Sequence, residues 1–205
     1  MGRLLVLGIS GPTASGKGLA RKTLKLLDPR AHIFEADRAA HHAYRKGSSL
    51  AKKLVSHFGN KIRKKGGGID RDKLGEIVFS NPKALRYLNS LTHSKIRLSL
   101  KDAISQARQR DVPLLIVDAA LLHTISLHRF VDTCWVIQSK ESLRVLRLLR
   151  SRKMTRQQAR TRIRVQRGIR FQCARDRVIH NNGTKGEFIR KVRRAYNDLL
   201  RHGRI

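Results

Sequence analysis

The segment that decides the fold runs from Leu4 to Gly18 and reads LLVLGISGPTASGKG. Its apolar part, Leu4–Ile9, is short and unbroken, as expected of a parallel strand that is buried on both faces. Glycine, proline and serine end the strand, and apolar residues at helical spacing then predict a helix from Lys17 to Leu27. The segment therefore predicts a strand, a glycine-rich loop and a helix in immediate succession.

The loop matches the phosphate-binding pattern G-x-x-x-x-G-K-[ST] in all positions but the last. Glycines allow backbone N–H groups to turn inward around a polyphosphate, and the N-terminus of the following helix adds partial positive charge. Lys17 supplies a cation for the outer phosphates of ATP. The predicted ATP site consists of Gly11, Pro12, Thr13, Ala14, Ser15, Gly16, Lys17 and Gly18.

The last position departs from the pattern, because Gly18 stands where a Ser or Thr hydroxyl normally coordinates Mg²⁺. Phosphate binding can survive this change, whereas the positioning of the metal depends on another oxygen. The hydroxyl of Ser15 or Thr13, or a water molecule, is the candidate replacement.

The rest of the chain alternates between apolar strands and helical patterns, which is typical of an α/β protein with a doubly wound parallel sheet. Further strands are predicted at 32–34, 113–118, 131–137 and 177–179, giving five in all. Capping boxes predict helices after Thr155 and Thr184. A helical insert at 38–109 is expected over the carboxyl edge of the sheet, where such folds bind ligands. We expect one domain, 1–205, with this insert and a basic lid region at 140–172.

Several segments, in order along the chain, resemble the dephospho-CoA kinase family. Besides the glycine-rich loop, they are Glu35–His41 (EADRAAH), His57–Gly59 with Ile69–Leu74 and Val78–Pro82, Leu88–His93 (LNSLTH), and Gln166 with Asp176–Gly183 (DRVIHNNG). The ending from Asn182 to Phe188 is similar to chlamydial members. The segment Asp118–Thr124 lacks the proline and glutamate of the family's D-x-P-L-L-F-E.

The resemblance implies a P-loop kinase fold and an ATP- and Mg²⁺-dependent transfer of phosphate to the ribose 3′-hydroxyl of dephospho-CoA. It implies that Asp37 activates this hydroxyl, contacts the substrate and binds the metal, and that Arg147 stabilises the transferring phosphoryl group together with Lys17. Asn181 matches a residue near adenine. Arg71 and His93 match positions in the substrate-facing insert.

Each of these residues also has a plain structural interpretation. Asp37 is a good helix N-cap, and Arg147 is one arginine among many in its segment. Asn181 suits a turn before Gly183, and a histidine such as His93 is more often structural than a ligand.

Charge suggests a second function. The chain has 46 Lys and Arg against 14 Asp and Glu, a net charge of +32 that calls for anionic partners. Arg156, Arg160 and Arg164 recur every four residues and predict a basic stripe on one helix. The alternative function is therefore a catalytically decayed kinase fold that binds RNA or a ribonucleoprotein. A solvated basic face remains equally open.

Other features exclude some classes of protein. Cys134 and Cys173 lie far apart and form no C-x-x-C pair, so both are expected to be reduced thiols packed in the core. No apolar run approaches the roughly 20 residues that a membrane span requires. We therefore expect a cytoplasmic enzyme, either a monomer or a weak oligomer, without a membrane partner.

Overall fold

The computed structural model describes residues 4–152 and 154–202. Two compact units divide the chain. The sheet unit comprises the residues up to Phe34 and from Ile104 onward, and the helical unit comprises Glu35–Ala103. Within the described ranges, no helix has the length and apolar character needed to cross a membrane.

Five strands form one sheet in the order β2-β3-β1-β4-β5. Neighbouring strands run parallel, with Ile9 of β1 opposite Asp118 of β3 and Trp135 of β4. The strands are β1 (Leu5–Ser10), β2 (His32–Glu35), β3 (Leu114–Asp118), β4 (Thr133–Gln138) and β5 (Arg177–His180). The predicted α/β class and five-stranded parallel sheet are confirmed.

The core of the sheet unit lies around β1, β3 and β4, which are almost continuously buried. Burial on both faces explains why these strands are unbroken apolar runs rather than alternating ones. Trp135 and Phe188 are the largest fully buried side chains of this core.

The helices of the sheet unit differ from the prediction between β4 and β5, where two helices replace the one expected. The two helices are α6 (Glu141–Arg152) and α7 (Arg156–Arg164). The sheet unit also contains α1 (Lys17–Leu27), α8 (Lys185–His202) and the last residues of α5. The predicted capping box of Thr155 and Gln158 is confirmed at the start of α7. Arginines interleaved with leucines hid α6 from the sequence pattern, since they blur its apolar face.

The helical unit has its own core, around Leu54, Ile62 and Leu74. Its helices are α2 (Ala36–Ala43), α3 (Ser49–Phe58), α4 (Arg71–Phe79) and α5 (Pro82–Gln109). Asp70 caps α4 by accepting hydrogen bonds from the backbone of Asp72 and Lys73, as its sequence position predicts. Pro82 is the first residue of α5, which also confirms the predicted helix start.

Candidate functional site

The glycine-rich loop joins the end of β1 to the start of α1, and its backbone requires glycine at two points. Gly11 and Gly16 have φ angles of 134° and 114°. A Cβ atom at Gly11 would collide with the carbonyl oxygen of Ile137, and one at Gly16 would collide with the side-chain nitrogen of Asn181. The loop therefore depends on glycine both for its left-handed turns and for close packing against its neighbours.

Lys17 is the first residue of α1, and its side chain reaches back over the loop. Its Nζ atom donates hydrogen bonds to the carbonyl oxygens of Gly11 (2.6 Å) and Pro12 (3.1 Å). The N-terminus of α1, which begins at this residue, has no acidic side chain in its first turn. The ammonium and the helix N-terminus together make the loop electropositive, as a polyphosphate ligand requires.

Arg147 of α6 and Asn181, which follows β5, hold the loop from outside. Nη1 of Arg147 donates to the carbonyl oxygens of Ala14 and Ser15, at 3.2 Å each. Nδ2 of Asn181 donates to the carbonyl oxygen of Ser15 at 2.8 Å. Asn181 is buried, and burial also lowers the pKa of the Arg147 guanidinium. Both predicted site residues thus contact the phosphate loop, and they do so through its backbone.

Gln166 contacts the loop from the segment that follows α7. Its Oε1 atom accepts a hydrogen bond of 2.8 Å from the backbone N–H of Thr13. The sequence indicated Gln166 only as part of a motif, whereas the structure gives it a direct contact with the loop.

Oxygen atoms for a metal ion are available near the loop, although Gly18 provides none. The hydroxyl of Ser15 is buried and has no hydrogen-bond partner among the described residues. Asp118 is the last residue of β3 and lies opposite Ile9 of β1. Its carboxylate forms an ion pair of 3.0 Å with Arg21. Carboxylate and hydroxyl oxygens are the ligands that Mg²⁺ prefers, so this donor set fits the metal.

Asp118 was not recognised from the sequence as a site residue. A usable signal existed, because an acidic residue at the carboxyl end of a buried parallel strand lies at the edge where such folds bind ligands.

Asp37 lies in the helical unit, as the second residue of α2, and it is exposed. Glu35 occupies the N-cap position of this helix, so the interpretation of Asp37 as an N-cap is wrong. Its carboxylate is nevertheless stabilised by the positive end of α2.

Arg71 is brought to the same part of the helical unit. Its Nη1 atom lies 3.0 Å from Nε2 of His41. His41 lies one turn after Asp37 on α2, so the two side chains share a face of the helix. Asp37, His41 and Arg71 therefore belong to one polar surface of the helical unit.

His93 lies on α5 and is partly buried. Burial, followed by the nearby positive charge of Arg97, lowers the pKa of His93 below its ordinary value.

A separate pocket of about 350 Å³ in the helical unit is lined by Lys46, Lys52 and Arg63, among others. Ala51, Val55 and Ile69 add apolar surface to the same pocket.

Comparison with known proteins decides the family. The family profile described as "CoaE: Dephospho-CoA kinase" matches residues 5–187, which contain the glycine-rich loop, Asp37, Arg147 and Asn181. The chain belongs to the dephospho-CoA kinase family. The resemblance seen in the ordered motifs of the sequence is thereby confirmed.

Individual members of the dephospho-CoA kinase family are similar over almost their whole length. A protein named dephospho-CoA kinase from Geobacter sulfurreducens is 32% identical over 188 residues, covering 91% of this chain and 94% of its own. The solved structure "Dephospho-CoA kinase from Campylobacter jejuni" superposes with a TM-score of 0.70 at 23% identity, covering 96% and 98% of the two chains. "Crystal structure of TT1252 from Thermus thermophilus" reaches 0.75 at 21% identity and 97% coverage of both. These structures support the P-loop kinase fold.

Two clusters of basic residues lie on the surface of this dephospho-CoA kinase family member. Arg156, Arg160 and Arg164 are all exposed along α7, as the predicted stripe requires. A second exposed basic cluster on α8 consists of Arg190, Lys191, Arg193 and Arg194. Both surfaces therefore face solvent, where an anionic partner can reach them.

Proposed function

We propose that this chain transfers the terminal phosphoryl group of ATP to the ribose 3′-hydroxyl of dephospho-CoA, yielding coenzyme A. The observation that carries the proposal is the loop from Gly11 to Lys17. Its glycines adopt positive φ angles, and the ammonium of Lys17 donates a hydrogen bond to the carbonyl oxygen of Gly11. Such a loop binds a nucleotide through its phosphates. Membership of the dephospho-CoA kinase family indicates that the phosphate acceptor is dephospho-CoA.

Each candidate site residue has its own role in the proposed reaction. The loop amides and Lys17 bind the phosphates of ATP, and Arg147 and Asn181 hold the loop in its binding shape. Asp37 orients the acceptor hydroxyl and takes its proton, since its carboxylate is exposed and is not used as a helix cap. Arg71 and His93 contact dephospho-CoA from the helical unit.

Mg²⁺ is the metal expected for this chemistry, and when bound it would neutralise negative charge on the phosphates of ATP. We propose that Asp118 holds it, directly or through water, with the Ser15 hydroxyl as a further oxygen in place of the missing one at Gly18. Replacing Asp118 by Asn is expected to raise the Mg²⁺ concentration required for half-maximal activity, while the exposed Asp102→Asn leaves it unchanged.

The test of the enzyme is direct. The purified full chain is incubated with ATP, Mg²⁺ and dephospho-CoA, and coenzyme A is measured by chromatography. Asp37→Asn is expected to lower kcat by about 100-fold or more, the usual contribution of a general base. Asp72→Asn is the matched control, because Asp72 is an exposed carboxylate in the first turn of α4. Absence of coenzyme A with the wild-type protein, or an unchanged kcat in Asp37→Asn, would contradict the proposal.

A second candidate function is supported by the exposed basic stripe on α7. We infer that it binds the phosphate backbone of RNA, in addition to the kinase activity rather than instead of it. Cytoplasmic location and a monomeric or weakly oligomeric state stay predictions.

A further inference from the structure

His123, Cys173 and Asp176 form a second group of ionisable side chains in the sheet unit. Nε2 of His123 lies 2.7 Å from Oδ2 of Asp176, and Nδ1 lies 3.2 Å from Sγ of Cys173. The side chains of His123 and Asp176 are only 5% and 6% exposed. The imidazole therefore bridges a buried carboxylate and a thiol, using one ring nitrogen for each.

In a neutral imidazole, this connectivity assigns a separate role to each ring nitrogen. The Asp176 carboxylate can only accept, so Nε2 carries the proton that lies between them. Nδ1 is left with the lone pair that faces the Cys173 thiol. The same Oδ2 atom accepts a hydrogen bond of 2.6 Å from the backbone N–H of Cys173, which fixes the thiol-bearing residue against the carboxylate. This geometry matches the arrangement in which a neighbouring base activates a cysteine nucleophile.

Cys134 provides a built-in contrast. Its Sγ atom lies 4.0 Å from Nε2 of His123, the nitrogen already paired with Asp176, and the residue is 4% exposed. Burial, assisted by the negative charges of Asp176 and Cys173, raises the pKa of Cys134 to about 12. Cys134 therefore remains an unreactive thiol at neutral pH.

Cys173 is accessible where Cys134 is not. It is only partly buried, and it lines a pocket of about 710 Å³ together with Gln138, Arg170 and Phe171. Arg170 is exposed, and the protein as a whole carries a charge of +32. A small anionic molecule is therefore attracted to the pocket in which the thiol lies.

We propose that Cys173 is a reactive thiol, activated by His123 and Asp176, that forms mixed disulfides with small anionic disulfides. Nδ1 of His123 takes the thiol proton, and the Cys173 sulfur attacks one sulfur of the disulfide. A bond forms between Cys173 and that sulfur, the original S–S bond breaks, and the second thiolate leaves with the proton from His123. Cys173 is oxidised and the leaving thiol is reduced, so no other reagent is consumed.

A divalent metal ion is the competing occupant, because one ligand atom from each of the three residues lies within 4.8 Å of the others. The observed contacts favour the thiol relay, because both ring nitrogens of His123 are already engaged. A metal bound by all three residues would have to break one of these two contacts.

The experiment uses the reduced full-length protein and two probes, the anionic 5,5′-dithiobis(2-nitrobenzoate) and the cationic cystamine. Labelled cysteines are identified by peptide mass spectrometry. We expect one fast-reacting thiol at Cys173, and the ratio of the rate in the folded protein to that in the urea-unfolded protein should be larger for the anionic probe than for the cationic one. His123→Asn should slow labelling by about tenfold or more, since it removes the base. Cys134→Ala should leave the fast phase unchanged, and circular dichroism checks that each variant is folded.

Three results would overturn the proposal. Cys173 could react no faster in the folded protein than in the same protein unfolded in urea. The His123→Asn variant could react at the wild-type rate. Finally, one equivalent of zinc could remain bound through purification and protect Cys173 until a chelator removes it, which would identify a metal site instead.

Discussion

Arg147 and Asn181 are joined by a hydrogen bond of 2.8 Å from Nη2 of the arginine to the backbone oxygen of the asparagine. Both side chains also donate to the same acceptor, the carbonyl oxygen of Ser15. Because the peptide unit is planar and trans, fixing the Ser15 carbonyl toward Arg147 directs the N–H of Gly16 the opposite way. The pair therefore sets the direction in which a loop amide points.

The first prediction follows from this role of Arg147. Arg147→Lys keeps the positive charge but cannot serve four acceptors, which include Ser139 Oγ at 3.0 Å. We expect KM for ATP to rise about tenfold, equivalent to about 1.4 kcal/mol of binding free energy. We also expect the free energy of unfolding to fall by about 2 kcal/mol, because hydrogen bonds to a charged group are lost.

Steady-state kinetics and urea unfolding measure the two effects, with the exposed Arg108→Lys on α5 as the control. The ratio of the effects on kcat and KM separates two roles. A large fall in kcat with an unchanged KM would instead support the role implied by the resemblance, in which Arg147 contacts the transferring phosphoryl group.

The second prediction concerns Gly18, at which an added Cβ would meet no atom within 4 Å. A serine side chain therefore fits without strain and restores a hydroxyl near the phosphates. Gly18→Ser should lower the Mg²⁺ concentration for half-maximal activity and stabilise the first turn of α1 by about 0.5 kcal/mol. Gly18→Ala is the matched control, since it should stabilise the helix without changing the Mg²⁺ requirement. Identical Mg²⁺ curves for the serine and alanine variants would exclude a metal-binding hydroxyl at this position.

The sequence was sufficient for the elements whose signals are local. The apolar run before Gly11 and the capping residues Asp70 and Thr155 predicted strand and helix starts that the structure confirms. The motif that identifies Gly11, Gly16 and Lys17 as candidate site residues lies within one short segment, so it could be recognised without knowledge of the contacts that the loop makes with Ile137 and Asn181.

The sequence was insufficient where a role depends on contacts between distant segments. The contact between Gln166 and Thr13 joins residues 153 positions apart, and the contact between Asn181 and Ser15 joins residues 166 apart. His123 and Cys173, 50 positions apart, gave no pattern at all. Contacts of this kind depend on the order and alignment of the strands in the sheet. The spacing of apolar residues along the sequence does not reveal that order.

The third prediction concerns the acid side of stability and rests on His93. Its pKa is lowered in the folded protein by burial and then by Arg97, so the unfolded chain binds more protons near pH 6. The contribution of His93 to the free energy of unfolding is therefore fully present above its unfolded pKa of about 6.5. This contribution is lost as the pH falls through the lower pKa of His93 in the folded protein. The difference in unfolding free energy between wild type and His93→Gln should shrink between pH 7.5 and pH 5. Urea unfolding measures it, and Arg97→Gln should give a shallower dependence than wild type. An unchanged difference across this range would show that His93 does not titrate on unfolding.

The fourth prediction tests the basic stripe on α7 as an RNA-binding surface. Arg156, Arg160 and Arg164 are separated by about 6 Å along the helix axis, a distance over which each strand of a duplex presents about two phosphates. Each phosphate contact contributes close to one unit to the slope of log affinity against log salt concentration. Replacing the three arginines by glutamine should therefore reduce this slope for a short RNA duplex by about 2 to 3.

The matched control replaces Arg190, Arg193 and Arg194 of α8 by glutamine, which removes the same charge from the other exposed basic cluster. If the two triple variants lose the same slope, attraction is set by net charge and α7 has no particular role. If only the α7 variant loses it while coenzyme A formation persists, RNA binding is separable from catalysis. Equal slopes in the wild type and both variants would leave the stripe as a solvated face, since the charge of +32 alone does not create a site.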